Sequence, residues 1–180
     1  MLRYLVILTF LSFVNIQQEK SETIEWSASR KLTWKDFKGQ PDCGSFAVAS
    51  TSSGISFGYS VYTNGQTVES FNTEITCYFH TRTSWHKREK SNDYILKHEQ
   101  LHFDITELYT RILKEKIKQL KPNQSIRKQL DRLYKEVTVS LNKTQNLYDR
   151  ETNHSINKEV QKKWDLKIEK ALKNLRNFKL

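Results

Sequence analysis

Apolar and polar positions along this 180-residue chain change their period near residue 91. Upstream, Ile55-Ser56-Phe57-Gly58-Tyr59-Ser60-Val61 alternates with the period of two that a half-buried strand requires. Asn64-Gly65 follows, the pair that best tolerates the positive φ angles of a tight hairpin turn, and Ile75, Cys77 and Phe79 alternate again beyond it. An antiparallel sheet is predicted for the middle third. Ser45 to Ser50 is a further candidate strand, and Trp34 to Gly39 reads as a short turn-rich segment.

Downstream the spacing becomes three and four. Ser91 or Asn92 is a suitable N-cap, and Tyr94, Ile95, His98, Leu101, His102, Ile105, Tyr109 and Ile112 then share one helical face. Lys121-Pro122-Asn123 ends that helix. A second carries Ile126, Leu130, Leu133, Val137 and Leu141, and a third runs from about Asn157 to Asn177 through Val160, Trp164, Ile168, Leu172 and Leu175. The polar stretch from Tyr148 to His154 is expected as a loop between the last two. The predicted class is α+β, an N-terminal antiparallel sheet followed by a helical half, with one domain over 17–180 that is mainly β to residue 90 and mainly α from 91.

Residues 1–16 place Arg3 before an apolar run and turn polar at Asn15, the pattern of a secretory signal peptide. The run is about half the roughly twenty residues a membrane span needs, so no stable span is expected. Secretion or residence in the periplasm or cell envelope follows. Cys43 and Cys77 are then in a compartment that permits a disulfide, although no spacing decides whether they pair.

Composition changes little in this picture. The hydrophobic fraction of 37% is modest, yet Trp 4, Tyr 8 and Phe 9 supply large side chains for a core. The formal net charge of +10 admits a polyanionic partner, but Lys and Arg are spread among acids along the helices, as a solvated basic face would be. No nucleic acid is expected as a partner, and the oligomeric state stays open.

The chemistry lies in His98-Glu99-Gln100-Leu101-His102. At about 100° per residue, the two His fall roughly 40° apart on one face of a helix, so both rings reach a single ion while Glu99 projects beside them. A catalytic zinc keeps three protein ligands and one open position. Six residues after His102 stands Leu108, which excludes the metzincin continuation. Asp104 and Glu107 face away from the pair. Glu136 on the next helix and His154 in the polar loop remain as third-ligand candidates, whereas His80 and His86 read as ordinary surface residues.

Taken together, Leu96 to Ile105, the later Tyr148-Asp149 with Thr152 and His154, Gln161 with Trp164, and the leading Leu32 to Gly39 resemble the bacterial exported family known as domain of unknown function 922. Its members are regarded as zinc-dependent proteases. The resemblance implies His98, His102 and His154 as Zn2+ ligands and Glu99 as general base. It also implies that Tyr148 donates to a developing oxyanion or Asp149 orients a ligating imidazole. Ser155 stands where the family commonly has Gly. Trp34, Trp164 and Tyr109 are expected as core anchors. The resulting expectation is a metallopeptidase acting on a peptide or protein in the envelope or outside the cell. The alternatives are a cell-wall amide hydrolase and a non-catalytic basic envelope-binding module.

Overall fold

A computed structural model describes residues 22–179, and the expected signal at 1–16 lies outside them. Five strands and three helices follow in chain order: β1 (Thr23–Glu25), β2 (Ala49–Ser50), β3 (Ser53–Asn64), β4 (Thr67–His80), β5 (Trp85–His86), α1 (Asp93–Lys118), α2 (Ile126–Thr152) and α3 (Lys158–Asn174). The sheet-first, helices-after order is the α+β class that the change of period predicts.

The β3–β4 hairpin is the largest β element, with Ile55 opposite Cys77 and Phe57 opposite Ile75. Its turn sits one residue later than expected, at Gly65-Gln66, because Asn64 still pairs with Thr67. Only Gly65 needs a left-handed φ, of 57°. β1 adds to the far side of β4, giving the order β1-β4-β3, while β2 and β5 form a separate pair. The candidate strand at Ser45 to Ser50 thus shrinks to two residues, and Trp34–Asp36 is a 3-10 turn with Asp36 bonded back to the Thr33 backbone.

Helix α1 is the spine of the molecule. Asn92 caps it by accepting from the Ile95 N–H. Leu101, Ile105 and Leu108 join Ile55 and Ile75 of the sheet and Leu130, Val137, Leu141, Trp164 and Ile168 of the other helices in one core, while Phe103 packs with Trp26, Phe37, Cys77 and Phe79 in a second. Asp104 and Glu107 do face away from the His pair, yet they are not solvated. Asp104 accepts from Trp26 Nε1 at 2.7 Å, and Glu107 is buried in an ion pair with Arg111 at 2.7 Å. Cys43 is exposed, Cys77 is buried, and both are free thiols.

The clearest departure from the sequence expectation is the length of α2. It continues to Thr152, so Tyr148, Asp149, Arg150 and Glu151 lie on a helix, and the connection to α3 shrinks to five residues, 153–157. Tyr148 and Thr152 are both fully buried and extend the inward stripe that begins at Ile126.

Candidate metal centre

Three helices converge on the His pair. His98 and His102 project from α1 towards α2, and the helical continuation of α2 carries Asp149 between them. His98 Nε2 and His102 Nε2 stand 3.1 and 3.0 Å from Asp149 Oδ1 and 3.2 Å from each other. Among the described residues this is the one group of three or more metal-ligating side chains whose donor atoms converge.

The opposite edge of each ring is held by an amide. His102 Nδ1 lies 2.6 Å from Gln145 Oε1, and the Gln145 NH2 donates to the His102 carbonyl at 2.9 Å. A carbonyl only accepts, so the amide orientation is fixed and Nδ1 of His102 must be the donor. His98 Nδ1 likewise meets Gln161 Oε1 at 2.8 Å, while the Gln161 NH2 donates to Asp165 Oδ1 at 3.0 Å. Both neutral rings are therefore Nδ1–H tautomers that turn an Nε2 lone pair towards Asp149.

Three electron-rich atoms at 3.0–3.2 Å with no hydrogen between them repel one another unless a cation sits among them. Donor atoms about 2.0–2.1 Å from a tetrahedral divalent ion lie roughly 3.3–3.4 Å apart, so the triangle needs only a few tenths of an ångström of relaxation to hold one. The residues fit a metal ion, which His98, His102 and Asp149 could hold with Gln161 and Gln145 behind them.

Charge is arranged accordingly. Burial alone would pull the His102 imidazole down, but the hydrogen bond its protonated form donates to Asp149, the nearby negative charges of Glu99 and Asp149, and the Gln145 contact leave its pKa raised. For Asp149, burial pushes the carboxyl up, and the two imidazoles outweigh it and hold it well below the usual carboxylate range. Glu99 is 5% exposed, and its carboxylate has no hydrogen-bond or ion-pair partner among the described residues. The Thr51 hydroxyl fixes the backbone there by donating to the Glu99 carbonyl.

Other expected site residues are placed differently. Tyr148 is fully buried with its ring stacked on His98, and its hydroxyl donates to Gln161 Oε1 at 2.7 Å, so it is enclosed rather than open to a substrate. Desolvation by burial pushes that phenol far above its ordinary range. His154 is 73% exposed, with Nδ1 3.9 Å from Asp149 Oδ1, outside the converging group. The third donor atom that converges with the His pair is that of Asp149. Glu136 pairs loosely with Arg132 on the outer face of α2, and His86 stacks on Trp34.

The short connection after α2 is backbone-strained. Asn153, His154 and Ser155 take φ values of 47°, 50° and 73°, three successive non-glycine residues in the left-handed region, each costing on the order of 1 kcal/mol or more. Ser155 holds that conformation without the glycine the resemblance leads one to expect. Hydrogen bonds from His154 N to the Asp149 carbonyl and from Asn157 N to the Thr152 carbonyl hold the turn.

Comparison with curated proteins returned no match, and comparison with solved structures returned none. One family profile matches residues 24–155, which takes in β1 through α2 with the His pair and Asp149 and stops before Gln161 and Trp164. The chain belongs to that family, described as bacterial protein of unknown function, domain of unknown function 922.

Proposed function

We propose that the protein is an exported zinc-dependent metallopeptidase with His98, His102 and Asp149 as metal ligands and Glu99 as general base. The observation that supports it most is the locked Nδ1–H tautomer of both imidazoles, which leaves two lone pairs and a carboxylate oxygen facing one another with no donor among them. Two His and one carboxylate form a donor set suited to catalytic zinc, which leaves a coordination position open. When bound, zinc supplies the Lewis acidity that lets water attack a carbonyl near neutral pH.

The chain does the rest. Glu99, buried beside the pair and with no partner for its carboxylate among the described residues, accepts the proton of the attacking water and passes it to the departing amine. Gln145 and Gln161 hold the rings in register, and Tyr148 braces His98 by stacking and by its bond to Gln161. Export rests on the apolar segment at 1–16, and no helix among the described residues is long and apolar enough to cross a membrane.

Zinc titration and hydrolysis of an unfolded protein test this reading together. Glu99→Gln is expected to keep zinc and lose turnover by several powers of ten, on the order of the contribution of a general base and more. Asp149→Asn is expected to weaken zinc binding at least ten-fold, and His154→Ala to leave it nearly intact. Unchanged zinc affinity in Asp149→Asn with a large loss in His154→Ala would return the third-ligand role to His154. Purified cell wall as a parallel substrate separates a peptidase from a cell-wall amide hydrolase.

A further inference from the structure

A shallow cleft of about 300 Å3 opens beside the metal centre and is lined by Asn146, Asp149, Arg150, Asn153 and His154. It shares Asp149 with the candidate ligand group, so an occupant would lie against the same carboxylate. Its chemistry is one-sided. Arg150 is exposed and brings a planar fork of donors, and its guanidinium makes no hydrogen bond or ion pair among the described residues. The side-chain amides of Asn146 and Asn153 are likewise uncommitted, and His154 lies at the rim. The only anion in the lining is Asp149, whose charge a bound cation would take up.

Shape supports the same reading. The left-handed run Asn153-His154-Ser155 follows the end of α2, and its first two residues line the cleft together with Arg150. Strained backbone of this kind persists where its surroundings hold it in place, and here it borders the candidate active site. Arg150 also lies in the last turn of α2, where a cation suits the helix dipole. That role alone concerns stability, and it predicts no substrate preference.

From this we infer that the cleft is a substrate subsite for a carboxylate next to the scissile bond, with Arg150 as the residue that fixes the preference. The inference rests on the metallopeptidase reading. A guanidinium suits a carboxylate because the two planar groups can pair through two parallel hydrogen bonds. The carboxylate can belong to an Asp or Glu side chain or to the peptide's own C-terminus.

The test uses the zinc-loaded full chain and short peptides that differ in one group. One pair carries Glu or Gln beside the cleaved bond, and another carries a free or an amidated C-terminus. Wild type is expected to favour the charged member of one pair by about ten-fold in kcat/KM, mainly through KM, which is the scale of one well-formed charged pair. Arg150→Gln should erase that preference, whereas Arg132→Gln, which removes the same charge further along α2, should retain it. The pair that responds identifies the source of the carboxylate. A wild type indifferent to both pairs, or a preference that survives Arg150→Gln, would overturn the subsite. If zinc binds but no peptide is cut, the metallopeptidase reading fails separately, and the same peptides serve as binding probes by calorimetry. Tighter binding of the charged peptide that depends on Arg150 then supports the subsite, and equal binding overturns it.

Discussion

At His102, burial and charge pull in opposite directions, and charge wins. A His whose folded pKa is raised adds stability below its unfolded value of about 6.5 and loses it as pH climbs through the folded value. Asp149 is depressed, so its contribution is present above the ordinary carboxylate value near 4 and is lost as pH falls through the folded value. In chelator-treated protein the pair is therefore most stabilising between roughly pH 4 and 6.5, where a proton on His102 does the work of the missing cation. Urea denaturation of wild type and Asp149→Asn across that range should give a stability difference that is largest inside the window and shrinks above it. A difference constant from pH 4 to 8 would mean that the two groups are not coupled. The same proton competes with metal, so metal affinity should rise with pH until His102 is neutral.

Helix α2 shows how far element boundaries were legible. The His pair, Glu99 and the N-cap Asn92 stand where helical spacing puts them, because two His at i and i+4 flanked by Ile95 and Leu101 admit few other readings. The stretch from Tyr148 was expected as a loop because Asp149, Arg150 and Glu151 are charged, yet the three-and-four spacing runs on through Leu141, Gln145, Tyr148 and Thr152. The inward positions turn polar there because they face imidazoles rather than methyl groups. A polar residue continuing an apolar stripe was the available signal for both Gln145 and Asp149. What no spacing supplies is which helix faces the pair, and hence that Gln161 of α3 reaches His98 across 63 residues. Gln145→Met and Gln161→Met each remove an acceptor and leave a ring N–H without a partner. Metal affinity should fall roughly ten- to a hundred-fold in each. Imidazole 15N shifts of the chelated variants should show loss of the single Nδ1–H tautomer at the affected ring, which a purely steric defect would not produce. Weaker binding with the tautomer intact would count against the amide lock.

For the whole molecule, the question is what α3 contributes, since the family profile ends at residue 155 while Gln161, Trp164 and Ile168 are each at most 3% exposed. Trp164 packs against Tyr148 and donates to Glu151, and Arg111 of α1 donates to the Leu172 carbonyl, so α3 is tied both to the element carrying Asp149 and to the one carrying the His pair. Two deletions of similar size separate its architectural part from its part in the site. Trp164→Ala should cost about 3–5 kcal/mol, and Leu130→Ala, fully buried at the other end of α2, about 2–5 kcal/mol. Only the first undermines Gln161 and, through it, the orientation of His98. At a temperature where both variants remain folded by circular dichroism, Trp164→Ala should bind zinc more weakly than wild type and Leu130→Ala should match it. Saturating metal should then raise the melting temperature of Leu130→Ala as much as that of wild type, because the stabilisation depends only on affinity and free metal concentration. Equal losses of affinity in the two variants would show that the centre responds to overall stability, and α3 would have no particular hold on the metal.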